Sequence, residues 1–173
     1  MKNATTIALI CAMASVSALA DTEAMFTLPS GVSVKITEAT FQKKLFKVSG
    51  CAEGSTSCRI NGHTPFGSAL EMPKTYVKSI LISYQGQSYS LNASDMYDAW
   101  GGRPLEHKGT IRYFGGKCFD TKNCQFRGLF SDGAGSFVAE WRIANGLSNR
   151  TVLTDSNDIV NLFMQHIEPP EFD

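Results

Sequence analysis

Residues Ser136–Ile167 constrain this chain more than any other stretch, because they carry two different hydrophobic periods in succession. From Phe137 to Ile143 the side chains alternate: Phe137, Ala139, Trp141 and Ile143 share one face, while Ser136, Glu140 and Arg142 take the other. That is the pattern of a strand with one buried face. Asn145-Gly146 follows, and both residue types tolerate the φ > 0 positions of a type I′ hairpin turn. Closing that turn sets Trp141 opposite Arg150 and Ala139 opposite Val152. After Thr154 the period lengthens to that of a helix. Ile159, Val160, Phe163, Met164 and Ile167 make an apolar stripe, with Asn157, Asp158, Asn161, Gln165 and Glu168 facing away. Asp155 or Ser156 is placed to cap this helix, and Pro169-Pro170 ends it. So short a helix cannot bury its stripe alone and has to dock on a sheet.

Residues 1–20 read as a secretory leader. Met1-Lys2 precedes an apolar run from Ile7 to Val16, and Ala18-Leu19-Ala20 offers small residues for cleavage before Asp21. The run is too short for a membrane span. Residues 21–173 then form one domain, large enough for a proper core. Taking Lys2 from the 16 basic side chains leaves 15 against 16 acidic ones, a net charge of −1. A nucleic-acid-binding protein carries a basic excess or stripe. Lys43, Lys44 and Lys47 are the one dense basic group and suit a solvated face, so nucleic acid is not expected as a partner.

Export makes disulfides the expected state of the four cysteines that follow the leader. Cys51 and Cys58 bracket a polar loop, as do Cys118 and Cys124, and two local staples are the favoured pairing. Zinc sites use tighter ligand pairs, so no metal is expected.

Elsewhere most of the chain reads as strand. Phe26–Leu28 and Val32–Ile36 flank a Pro29-Ser30-Gly31 turn, and Tyr76–Tyr84 and Gln87–Leu91 flank Gln85-Gly86. Thr110–Phe114 and Gln125–Phe130 border the second cysteine loop. Phe41–Val48 fits either period, and Gly62–Pro73 reads as a long loop. Ser94 or Asp95 is placed to cap a short helical turn through Tyr97 and Trp100. The fold class is α+β: mostly antiparallel β, sandwich-like or a curved sheet, with a C-terminal amphipathic helix.

Catalytic signatures are missing. There is no Gly-x-Ser-x-Gly elbow, no phosphate loop and no His-Glu-x-x-His, and His63, His107 and His166 stand apart. No cofactor is implied. Two stretches suit recognition instead. Tyr97-Asp98-Ala99-Trp100-Gly101-Gly102-Arg103-Pro104 holds Tyr97, Trp100 and Arg103, residue types that anchor protein interfaces, although Tyr97 and Trp100 equally suit core packing. Ser131-Asp132-Gly133-Ala134-Gly135-Ser136-Phe137 is a glycine-rich tip just before the best strand.

That tip, Ser131-x-Gly133-x-Gly135-Ser136-Phe137 leading into an alternating strand, resembles the inhibitory loop region of periplasmic inhibitors of invertebrate-type lysozymes. Leu28-Pro29-Ser30-Gly31-Val32-Ser33-Val34-Lys35-Ile36-Thr37-Glu38 is similar to that family's opening strands. The resemblance implies a β-rich periplasmic fold whose loop plugs a lysozyme cleft, with Ser131, Ser136 and Phe137 near the tip. Phe137 stands where an aromatic hydroxyl is expected, and the cysteine staples and C-terminal helix look like additions.

The expected function is therefore that of an exported, periplasmic or secreted, non-enzymatic protein that binds and inhibits a cell-wall hydrolase. A lysozyme inhibitor and an immunity protein against a secreted bacterial toxin both fit. Two other classes stay open: a carbohydrate-binding module using Tyr97 and Trp100, and an enzyme with unrecognised catalytic residues.

Overall fold

A computed structural model describes residues 21–52, 57–69, 71–100, 110–131 and 135–170. The leader, Arg103 and residues 132–134 of the glycine-rich tip lie outside the described residues. Among the described residues ten strands and one α-helix follow in order, with short 3-10 turns at Lys43–Leu45 and Thr110–Tyr113: β1 (Thr22–Thr27), β2 (Ser33–Thr40), β3 (Val48–Ser49), β4 (Arg59–Ile60), β5 (Thr75–Tyr84), β6 (Gln87–Leu91), β7 (Phe114–Asp120), β8 (Asn123–Phe130), β9 (Phe137–Ala144), β10 (Leu147–Thr154) and α1 (Asn157–Gln165). Two antiparallel sheets, β1-β2-β5-β6 and β10-β9-β8-β7, face one another, and β3-β4 forms a small separate ribbon. The α+β class, dominated by antiparallel strands, is as the sequence led us to expect.

Period-two alternation builds the core directly. Val34, Ile36, Ile80, Ile82 and Leu91 point inward from the first sheet, and Phe114, Phe126, Phe130, Phe137, Trp141 and Ile143 from the second. The second sheet contributes mainly rings. Phe114 stacks on Phe126 at 5.9 Å, Phe126 on Trp141 at 5.7 Å, and Phe130 on Phe137 at 5.2 Å. Rings of this size bury much apolar area each. Polar ties also cross between the layers, among them Trp141 Nε1–H donating to the Asn92 carbonyl at 2.9 Å and the Tyr89 hydroxyl donating to the Thr121 carbonyl.

Both expected staples form. Cys51–Cys58 clamps the β3-β4 ribbon, and Cys118–Cys124 joins residues directly opposite on β7 and β8. The second cysteine segment is therefore a hairpin turning at Thr121-Lys122 rather than a polar loop.

Several local expectations need correction. Thr110–Tyr113 is a 3-10 turn leading into β7 rather than strand, and Ser156 stands at the start of α1 without a side-chain capping bond. Trp141 does face Arg150, but Ala139 faces Leu153 instead of Val152, because a bulge between Arg150 and Val152 shifts the register. Thr151 leaves the ladder there and its hydroxyl donates to Glu140 Oε1 at 2.9 Å. The helix presents a narrower face than its stripe suggested: Val160 and Phe163 are buried on Leu129 and Val138, while Ile159 and Met164 are exposed. A nine-residue helix laid across a flat sheet touches it along one line only. Finally, Tyr97 and Trp100 do not lie on a helical turn. Met96 and Tyr97 are extended and bridge Phe66 and Tyr76 respectively. Asp95 and Asp98, at φ +66° and +40°, bend the chain on either side. Among the described residues, no helix is long and apolar enough to cross a membrane.

Candidate functional site

The two recognition stretches of the sequence meet in space. Extended pairing brings Phe66 alongside Asp95–Tyr97, with Phe66 N–H donating to the Asp95 carbonyl at 2.9 Å and Tyr97 N–H to the Phe66 carbonyl at 2.8 Å. Gly67 follows at φ +98°, so close to this segment that a Cβ would lie 1.8 Å from the Tyr97 oxygen. Gly135 packs on Gly67 in turn: a Cβ there would stand 2.3 Å from the Gly67 oxygen. Ser131 N–H donates to the Ala99 carbonyl, and Ser136 Oγ–H to the Ser131 carbonyl at 3.5 Å. Backbone-to-backbone contact of this kind admits no side chain, which is why glycines stand at both positions. One rim results, built from residues 66–68, 98–100, 131 and 135–136.

The sequence-derived site residues divide across that rim. Ser131 and Ser136 are half-buried on it. Phe137 is not on the surface at all. It is fully buried, stacked on Phe130, because it begins β9 on the same face as Ala139 and Trp141. Tyr97 is 4% exposed, with Phe41 and Phe46 edge-on to its ring at 5.9 and 6.3 Å. Its burial, with Asp95 nearby, pushes the hydroxyl up to about 12. Such a ring has no free face to stack on a sugar. Trp100 is half-buried against Phe130 at 5.6 Å. Tyr97 and Phe137 are therefore core supports of the rim rather than contact residues.

Sequence reasoning missed the group beneath the rim. Glu38 is 5% exposed and points inward, as the alternation Val32, Val34, Ile36, Glu38 dictates once it is followed to the end of β2. The Thr75 hydroxyl donates to Glu38 Oε1 and lies 3.4 Å from Asp98 Oδ1. Asp98 Oδ1 also accepts the Lys74 and Thr75 N–H groups at 2.8 and 2.9 Å. Burial is the main cause that pushes the Glu38 carboxyl up to about 7; the Thr75 bond opposes the shift and the Asp98 charge adds to it. A protonated Glu38 can donate to Thr75, whose own proton then serves Asp98, so the chain is fully satisfied with one extra proton. Thr75 thus links Glu38 to Asp98, and the Glu38 carboxyl also accepts a hydrogen bond from the Ala99 backbone. No group of three or more potential metal-binding side chains occurs among the described residues.

No protein-family model, no curated protein and no solved structure matches the chain.

Proposed function

We propose that this is an exported protein that binds a cell-wall hydrolase and blocks it with the rim formed by residues 66–68, 98–100, 131 and 135–136. Lysozyme inhibition and immunity to a secreted toxin are the two forms of this activity that suit the design. The observation that carries the reading is the junction of Ser131 with Ala99 and of Gly135 with Gly67. An inhibitor needs an inserting surface that loses little freedom on binding, and here separate loops are locked together on a ring-packed, doubly stapled scaffold. The disulfides suit an oxidising compartment outside the cytoplasm.

The test is retention and inhibition of peptidoglycan hydrolases by the mature protein, repeated with Ser131→Arg and Ser136→Arg. Losing a true anchor costs about 2 kcal/mol or more, roughly thirtyfold in affinity, and both variants should keep the parent's melting temperature to within a few degrees. Phe137→Ala is unsuitable as a binding probe, since it would excavate the core. If no hydrolase is retained, or if both arginine variants inhibit as the parent does, the reading fails.

A further inference from the structure

A second site lies on the flank of the first sheet. β6 leaves its partner at Leu91, while β5 continues beyond it to Thr75. The chain arches outward through residues 92–95 and returns at Met96, where Val77 N–H donates to the Met96 carbonyl at 2.9 Å. Under the arch is a cavity of about 290 Å³ lined by Phe46, Asn61, Tyr76, Ser79 and Ser90 among others.

Its arch is fixed in place from several sides. The Asn92 carbonyl accepts the core Trp141 indole N–H, and Asn92 Oδ1 accepts the Ser94 N–H at 2.9 Å. The Ser94 carbonyl accepts Arg150. Asp95 Oδ2 holds His63 Nδ1 at 3.1 Å and the Arg150 guanidinium at 3.8 Å. Asp95 does this at φ +66°, a left-handed conformation that Asp adopts more readily than most residues.

From these contacts we infer that the cavity under the 92–95 arch binds a small neutral saccharide, about one sugar ring in size. The inference stands apart from hydrolase inhibition. Charge does not select the ligand, because the cations nearby are already engaged: Lys78 with Asp21 at 2.5 Å, and Arg150 with Asp95. What remains is a mixture of aromatic wall and hydroxyl or amide edge. Phe46 and Tyr76 meet at 5.3 Å and supply apolar surface for a ring face. Ser79 and Ser90 carry hydroxyls that bond no other described side chain. Asn61 has its oxygen occupied by the Lys47 N–H at 3.0 Å, so it offers its NH₂ group. A sugar ring presents the complementary pair of surfaces, an apolar face and a hydroxylated edge. Pockets of a few hundred Å³ with a few convergent polar groups are the usual form of small-ligand sites.

The experiment is an amide-resolved NMR titration of the mature, disulfide-bonded protein with N-acetylglucosamine and glucose, with glucosamine and glucuronate as charged controls. Saturable shifts confined to Phe46, Asn61 and residues 76–79 and 90–97, with millimolar Kd, are expected for a neutral sugar. Ser90→Val and Asn61→Ala should each weaken it roughly tenfold, the usual effect of one lost hydrogen bond, and Ser90 is exposed enough for its variant to fold normally. The inference is overturned by an absence of saturable shifts, by tighter binding of a charged sugar, by shifts centred on the glycine-rich rim, or by unchanged binding in both variants.

Discussion

Replacing Glu38 by glutamine should convert a pH-dependent fold into a pH-independent one at this position. Glu38 has its proton held in the fold up to about 7, against an ordinary value of 4.5. At about 1.4 kcal/mol per pH unit, the gap amounts to about 3 kcal/mol as an upper bound. The sign follows from which state binds the proton more tightly. Below pH 4.5 both the folded and unfolded chains are protonated, and Glu38 contributes its full stability. Between pH 4.5 and about 7 the unfolded chain has ionised while the fold still holds the proton, so stability falls as pH rises. Above that window the loss is complete, and an ionised Glu38 faces ionised Asp98 across Thr75. In Glu38→Gln the new amide keeps a donor for Thr75 and never ionises. In urea unfolding with the disulfides intact, the variant should match the parent or fall slightly below it at pH 4.5. At pH 8.5 it should exceed the parent by as much as about 3 kcal/mol, or roughly 6–12 °C in Tm. Asp98→Asn should reduce the pH dependence without removing it, because burial is the larger cause. A parent-minus-variant difference that stays constant from pH 4.5 to 8.5 would refute the reasoning.

Other perturbations test the remaining structure. Phe163→Ala removes a ring that is 4% exposed and lies under the Arg127 guanidinium at 5.0 Å. It should cost about 3–5 kcal/mol in chemical denaturation, while exposed Asn161→Ala should be near neutral; equal effects would mean that α1 does not dock through this face. Non-reducing peptide mapping should recover Cys51–Cys58 and Cys118–Cys124, and removing either pair should cost roughly 2.5 kcal/mol by the loop-closure argument. A Cys51–Cys124 peptide would contradict the fold. Gly135→Ala should force the tip off Gly67 and weaken hydrolase inhibition at least tenfold while far-ultraviolet dichroism stays unchanged, since the clash is with rim backbone alone. Unaltered inhibition would separate the rim packing from function.

Local chemistry alone placed the β1-β2, β5-β6 and β9-β10 turns, the staples and the C-terminal helix, but neither the β7-β8 hairpin nor the register beyond the Arg150–Val152 bulge. Alternation from Phe137 to Ile143, the Asn145-Gly146 turn and the change of period after Thr154 each depend on residues a few positions apart, and the structure follows them. Cysteines six and seven positions apart could likewise be paired by proximity along the chain. Where the sequence misled, a distant partner decided. Tyr97 and Trp100 have helical spacing, yet β5 continues past the end of β6 and leaves an edge that Met96 and Tyr97 fill as strand. An unsatisfied ladder edge outweighs the weak preference of so short a helix. Phe137 reads both as a tip residue and as the first inward residue of the alternating strand, and the strand reading holds, with Phe137 stacked on Phe130 in the core. Glu38 was legible as inward-facing, but its proton depends on Thr75 and Asp98, which lie 37 and 60 positions further along the chain. The meeting of Gly67, Ala99, Ser131 and Gly135 in one rim has no local signature either. Periodicity records which side of an element is buried, whereas the fold alone decides which loops arrive at the same end of the sandwich.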